Sequence, residues 1–442
     1  MNHGMPKSAK LVRPLAILNA RLLDPAAKRD ERGGILVQDE LIADVGPQVN
    51  AQGLSEEFER IDAGGHCLAP GLIDMRVQLR EPGEEHKETI ASGSAAAAAG
   101  GVTSMVCLPN TDPVIDDVAG VEFIARRARE TRLSKIYCYG AVTKDLAGKD
   151  LVEIGLLSES GALAFTDGLA AVSDARVMLR ALSYARCFGA LIIQHPELPN
   201  LADGGAMNAG ELSTRLGLAG IPRQAEVMMI ERDLHLVEMT GGRYHVAHVS
   251  TSLAVEAIRQ ARKRGLTLTC DTAPPYFALN ENEVGDYRTF AKLSPPLRAE
   301  EDRRAVAAAV ADGTIDCIAS DHAPHDQESK RVPFAQAAAG VIGLETLLPV
   351  SLGLHHRGEL SLLDLLARMT IAPATLLGLP QGRLSKGAPA DLVLFDLERA
   401  YKIDAAKFRS KSKNSPFDEM PVQGKTLRTV VAGRTLYEAE AA

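Results

Sequence analysis

Short apolar runs flanked by Gly or Asp recur through the middle of the chain, at 72–79, 103–108, 135–140, 161–165, 190–194, 243–248, 266–270 and 315–320. Runs that are apolar on both faces suit buried parallel strands better than half-exposed antiparallel ones. Stretches with helical spacing separate most of them, among them Lys87–Ala99, Asp174–Cys187, Gln224–Met239, Leu253–Lys263 and Glu301–Ala311. Eight strands alternating with helices over about 300 residues predict a (β/α)8 TIM-type barrel. A doubly wound open sheet is the alternative, and it accounts less well for polar residues that follow many different strands. The two ends have another style. Leu15–Leu18, Gly34–Val37 and Leu41–Val45 read as short strands with turns, and so do Ala390–Asp396 and Thr429–Gly433. Together the ends predict one small β-sandwich domain, 12–68 with 378–442, beside a barrel at 69–377. Residues 1–11 read as a disordered leader. The connections 196–223 and 271–300 are long for a compact domain, and such loops usually cover a site.

Composition excludes more than it assigns. Hydrophobic residues are 46 % and charged residues 24 % of the chain, as in a soluble globular protein with a sizeable core. A net charge of −8 leaves no basic footprint for nucleic acid and no polybasic patch for a membrane. Six cysteines (Cys67, Cys107, Cys138, Cys187, Cys270, Cys317) show no C-x-x-C spacing, so free thiols in a reducing cytoplasm are expected. The chain starts without a signal-peptide pattern, and no apolar run approaches ~18 residues, so neither secretion nor a membrane span is expected.

Candidate chemistry gathers where the strands should end. Strand one offers Asp74, Arg76, Gln78 and Arg80; strand two, Asn110; strand four, Asp167; strand five, His195; strand six, His248; strand eight, Asp321, His322 and His325. Singly each has a plainer reading. A lone histidine is more often a hydrogen-bonded structural residue than a ligand, and Asp before Gly, as at Asp167-Gly168, is often a turn former. Their joint placement at one barrel mouth points to a site.

The ordered segments Pro70-Gly-Leu-Ile-Asp-Met75, Leu79-Arg-Glu-Pro-Gly83, Leu108-Pro-Asn-Thr-Asp-Pro113, His245-Val-Ala-His-Val-Ser250, Ser294-Pro-Pro-Leu-Arg298 and Gly313–His325 resemble those of the dihydroorotases of the amidohydrolase superfamily. Active members interconvert N-carbamoyl-aspartate and dihydroorotate with zinc at the barrel mouth. The resemblance implies that Asp167, His195 and His248 are metal ligands, and that Asp321 is both a metal contact and the catalytic proton shuttle. It implies that Arg80 and Asn110 hold the substrate carboxylate and that His325 faces the substrate. Ser294 stands where related chains usually carry an Asn that contacts the ring, and Pro274-Pro275-Tyr276 replaces a common Pro-His-His.

The larger departure is in strand one. Where the family writes Asp-X-His-X-His, this chain writes Asp74-Met-Arg76-Val-Gln78. Arginine stays protonated and has no lone pair for a metal, and glutamine offers only a weak carbonyl oxygen. Bound zinc brings water's pKa from about 15.7 to ~7, which supplies the hydroxide that ring hydrolysis needs. Three ligands and an open position are the usual minimum. Asp167, His195 and His248 would be three, so one zinc remains conceivable at a formally intact sub-site. Arg76 is expected to replace the lost positive charge by hydrogen bonding to Asp321 and Asp167; the alternative is that it turns to solvent or pairs with Glu81 or Glu85. Three functions follow. One is a weakly active or non-catalytic homologue in pyrimidine biosynthesis, partnering aspartate transcarbamoylase. Another is an active mono-zinc dihydroorotase. The third is an allantoinase- or hydantoinase-like cyclic-amide hydrolase. A homo-oligomer is expected in each case.

Overall fold

The computed structural model describes residues 13–440; the expected leader at 1–11 lies outside them. The N-terminal region forms β1 (Leu15–Asp24), β2 (Arg29–Gln38), β3 (Leu41–Gly46), β4 (Glu59–Asp62) and β5 (Cys67–Pro70). Next come β6 (Leu72–Val77), β7 (Val102–Cys107), β8 (Lys135–Cys138) and β9 (Leu191–Gln194). A two-residue pair, β10 (Met207–Asn208) and β11 (Gly220–Ile221), precedes β12 (Arg243–Val246), β13 (Thr269–Thr272) and β14 (Cys317–Ile318). The chain ends in β15 (Leu392–Lys402), β16 (Pro421–Val431) and β17 (Arg434–Glu438).

The ends combine as the sequence suggests. Strands from both termini run in the order β17-β16-β15-β5-β1-β2-β3, with β4 paired to β1. Hydrogen bonding makes this one eight-stranded sheet, not the two separate sheets that a sandwich implies. The N- and C-terminal halves meet where β15 pairs antiparallel with β5. Gly71 then turns the chain from β5 into β6, and a Cβ there would sit 2.1 Å from the Thr103 side chain, so only glycine fits this approach.

The middle of the chain is parallel. β6-β7-β8 form one ladder and β9-β12-β13-β14 another. Each ladder is open, and single parallel bridges link them. Gly140 bridges to Phe165 and Phe165 to Ile192 on one side; Val77 bridges to His322 on the other. The expected strand at 161–165 is thus reduced to Phe165, whose N–H donates to Leu191 O at 2.9 Å. Gly161, at φ +110°, interrupts the run before it can extend.

The connecting helices start and stop on side-chain signals. Thr89 caps Ile90–Ala99 by accepting from Ser92 N, Asp174 caps Ala175–Arg186, and Thr251 caps Ser252–Lys263. These oxygens satisfy amides that have no partner within the helix. Gln224–Thr240 ends at a left-handed Gly241. Both long connections carry short elements of their own, including Glu211–Leu216 and Pro274–Ala278. Among the described residues all six cysteines are free and only Cys187 is exposed, and no helix is long and apolar enough to cross a membrane.

Candidate functional site at the strand ends

The C-terminal ends of the parallel strands bring four expected residues into one buried line. Arg76 is 2 % exposed; its Nε donates to Asp321 Oδ1 at 2.9 Å. Asp321 Oδ2 lies 3.3 Å from His248 Nδ1. His248 Nε2 lies 2.6 Å from His195 Nδ1. The line continues to a residue that the sequence reading missed: Glu197 Oε2 is 3.5 Å from His195 Nε2 and accepts from Ser294 Oγ at 2.9 Å. Its signal was present in His195-Pro-Glu197, where two-residue spacing on extended backbone returns a side chain to the same side.

Backbone geometry marks the same place. Arg80, His248 and Asp321 all have positive φ, at 60°, 35° and 52°. Non-glycine residues in this region carry strain that the surrounding fold must hold, and such strain clusters at functional sites.

Burial and pairing set the charges. Burial alone would raise the Asp321 carboxyl, but the His248 ring and the Arg76 guanidinium outweigh it and hold it well below the usual carboxylate range. Burial, with Arg76 next, pushes the His248 imidazole down to about 4. Glu197 also falls, to about 2, because His195, Arg298 and Ser294 together outweigh its desolvation. Asp74, fully enclosed beneath the line, is raised to about 7 by burial; its Oδ1 accepts from the amides of Arg76 and Ser320.

Asp167 is committed elsewhere. Its Oδ1 accepts from Val142 N at 2.8 Å and Thr143 N at 2.9 Å, and its Oδ2 from Thr143 Oγ1 at 2.5 Å. Three donors already satisfy this carboxylate, so it has no need of a guanidinium. Arg76 therefore reaches only one of the two expected acids, and its Nη2 donates instead to Gly168 O at 3.1 Å. The alternative partners are engaged as well: Glu81 pairs with Arg127 at 2.7 Å, and Glu85 accepts from Gly83 N.

The remaining predicted residues contact one another. Asn110 Nδ2 donates to Gln78 Oε1 at 3.1 Å. Arg80 Nη1 pairs with Glu84 at 2.9 Å, its Nε donates to Pro324 O, and its Nη2 lies 3.3 Å from His325 Nε2. Burial and then Arg80 push the His325 ring down to about 3, so it is neutral at physiological pH. Tyr276, in the Pro-Pro-Tyr stretch, packs its ring edge-on to His248.

This donor set does not fit a divalent ion. A permanent cation is bound to Asp321, the two imidazole nitrogens face each other at 2.6 Å, and the Asp167 carboxylate is turned to Val142 and Thr143. Among the described residues no group of three or more His, Cys, Asp or Glu side chains is arranged to hold a metal. The single-zinc sub-site of Asp167, His195 and His248 is thus not assembled by these contacts.

Comparison with known proteins agrees with the fold. A family profile described as "Dihydro-orotase-like" matches residues 65–253, and one described as "Amidohydrolase family" matches 210–436. The chain is 47 % identical over 430 residues to a protein named dihydroorotase from Anaplasma phagocytophilum, covering 96 % of both chains. It is 46 % identical over 423 residues to another so named from Syntrophotalea carbinolica, covering 96 % of this chain and 99 % of that one. The solved L-hydantoinase of Arthrobacter aurescens superposes with a TM-score of 0.85 at 28 % identity, covering 96 % of each chain.

Proposed function

The chain belongs to the dihydroorotase family of amidohydrolases, and from that premise we propose that it serves pyrimidine biosynthesis without running the family's metal-assisted ring hydrolysis. The circuit of parallel segments, linked by the bridges at Phe165 and Val77, is then the (β/α)8 barrel at 69–377, with 12–68 and 378–442 as its β-domain. Proteins of this family are typically metal-dependent, and Arg76 and Gln78 occupy two of the ligand positions. The observation that carries this reading is the buried Arg76–Asp321 pair at 2.9 Å. A general base works best when its pKa lies near the operating pH. Asp321, held far below that range by the His248 ring and the Arg76 guanidinium, is a poor proton acceptor.

A homologue that keeps the fold and loses turnover retains value as a scaffold. The partner we assign is aspartate transcarbamoylase, whose product is this family's substrate, and the complex is oligomeric. A second reading, a mono-zinc dihydroorotase, draws on the close approach of His195 and His248. It requires Asp167 to leave Thr143. The third, a hydantoinase-like hydrolase, rests only on the likeness to L-hydantoinase.

The test is elemental analysis of purified protein together with a spectroscopic assay of dihydroorotate hydrolysis. The expected result is zinc well below one ion per chain, no activity that responds to added zinc, and co-elution with aspartate transcarbamoylase at a larger size. Steady turnover that responds to zinc and disappears in Asp321→Ala would establish the second reading instead.

A further inference from the structure

Gln78 is 3 % exposed, and its two polar atoms are treated differently. Oε1 accepts from Asn110 Nδ2, while the buried Nε2 has no hydrogen-bond partner. The residue is not loose, because its backbone N–H donates to His322 O at 2.8 Å. Asn110 in turn lies over Gly168, where a Cβ would come within 3.3 Å of its carboxamide, and Gly168 O takes the Arg76 guanidinium. Gln78, Asn110 and Arg76 thus form one wall of the mouth. A second orphan lies along the line that starts at Arg76. Glu197 Oε1 is buried without a donor, although Oε2 of the same carboxylate has Ser294 and His195.

Buried polar atoms in native structures are nearly always paired, and the exceptions call for a reason. Here a bare amide donor and a bare carboxylate acceptor belong to the same cluster of strand ends. Asn110 takes the carbonyl side of Gln78 and leaves the N–H2 side free.

We propose that Gln78 is a ligand-recognition residue: its Nε2 donates to the carbonyl oxygen of a small carbamoyl- or ureide-bearing molecule, and Glu197 Oε1 accepts from an N–H of the same molecule. Asn110 is the positioning residue that aims the carboxamide. This rests on the family reading for the class of ligand. It adds that the side chain standing at a lost metal-ligand position binds the carbonyl directly, so the mouth recognises such molecules without a metal. The step is binding alone, with no bond made or broken.

The experiment uses the full chain treated with a chelator and titrated calorimetrically with N-carbamoyl-L-aspartate and with dihydroorotate. The unmodified protein should bind at least one of them. Gln78→Leu, which keeps most of the side-chain volume and removes the donor, should weaken that binding about tenfold, the scale for losing one buried polar contact. Gln78→Glu should weaken it further, because an acceptor then faces the ligand's carbonyl. Glu197→Gln should weaken it less than Gln78→Glu. If either Gln78 variant melts early, 15N-glutamine labelling of the unmodified protein gives the same answer: one side-chain amide pair shifts on saturation and is missing from Gln78→Leu. Failure to bind either probe at millimolar concentration, Gln78→Leu within twofold of the parent, or glutamine amides that do not move would overturn the proposal. Zinc-dependent turnover would overturn the functional reading above, while the Gln78 result in stripped protein would still stand or fall by itself.

Discussion

Arg76 and Asp321 are each a liability alone. Two charges taken from water repay their desolvation only when they remain paired, and removing one partner of a buried pair costs about 3–5 kcal/mol because the other is left uncompensated. Arg76→Met should therefore destabilise the chain by about that amount, and Asp321→Asn by a similar amount, whereas the double variant should lose much less than the sum. Urea unfolding of the four proteins reads this directly; additivity within ~0.5 kcal/mol would mean that the pair is not what holds the mouth. Asp74, just below, gives a pH test. Burial raises its folded pKa from 3.8 to about 7. Between those values the folded chain keeps a proton that the unfolded chain has released, so stability falls as pH rises through that window. The contribution is complete below about pH 4 and gone by about pH 7, a difference on the order of a few kcal/mol. Asp74→Asn should flatten that part of the stability profile, and a profile as steep as the parent's would remove Asp74 as the cause. At this scale the pairing of Arg76 with Asp321 was legible, because a buried cation at the end of a strand demands a nearby carboxylate. The fate of Asp167 was not, because its partners Val142 and Thr143 lie on a different loop and their amides leave no mark in the sequence pattern.

Elements were legible where one periodicity dominates. The helices at Ala175–Arg186, Gln224–Thr240 and Ser252–Lys263 fall almost where spacing and caps place them, since an Asp or Thr before the run and a Gly after it are local signals. Strand ends were less legible. The run read at 266–270 pairs as Thr269–Thr272, shifted toward Asp271, because the neighbours in a parallel sheet fix register and hydropathy alone does not. The segment 409–417 straps the strand ends. Ser410 and Lys411 donate to the buried Glu88, whose carboxylate lies 3.5 Å from His322. Asn414 donates to Ala323 O and Gly340 O and accepts from His325 N. A strap of this kind has no periodicity, only scattered side-chain bonds to distant loops, so nothing in its own sequence announces it.

The terminal sheet buries an apolar cluster of its own, around Leu15, Ile35, Leu68 and Leu392, and packs its other side into the interior of the middle region. Val393 and Phe395 of β15, with Phe417 from the strap, lie in the same apolar cluster as Leu72, Val102, Met105 and Leu347. Thr429 in β16 donates to Ala98 O at the end of the Ile90–Ala99 helix, and Gly71 N donates to Asp391 O between the two regions. Residues 69–377 alone would expose the apolar surface that these side chains cover, and the cut would pass through β5, the strand that joins the two ends of the chain. Domains with separate cores can melt separately, whereas elements buried in a common core unfold together. Differential scanning calorimetry of the full chain should therefore show a single transition, and Phe395→Ala in the terminal sheet should move the whole of it to lower temperature, with a loss of about 3–5 kcal/mol for a large buried aromatic. Two separable transitions, with only one displaced by Phe395→Ala, would show that the sheet is an independent unit and that its contacts to the middle region contribute little.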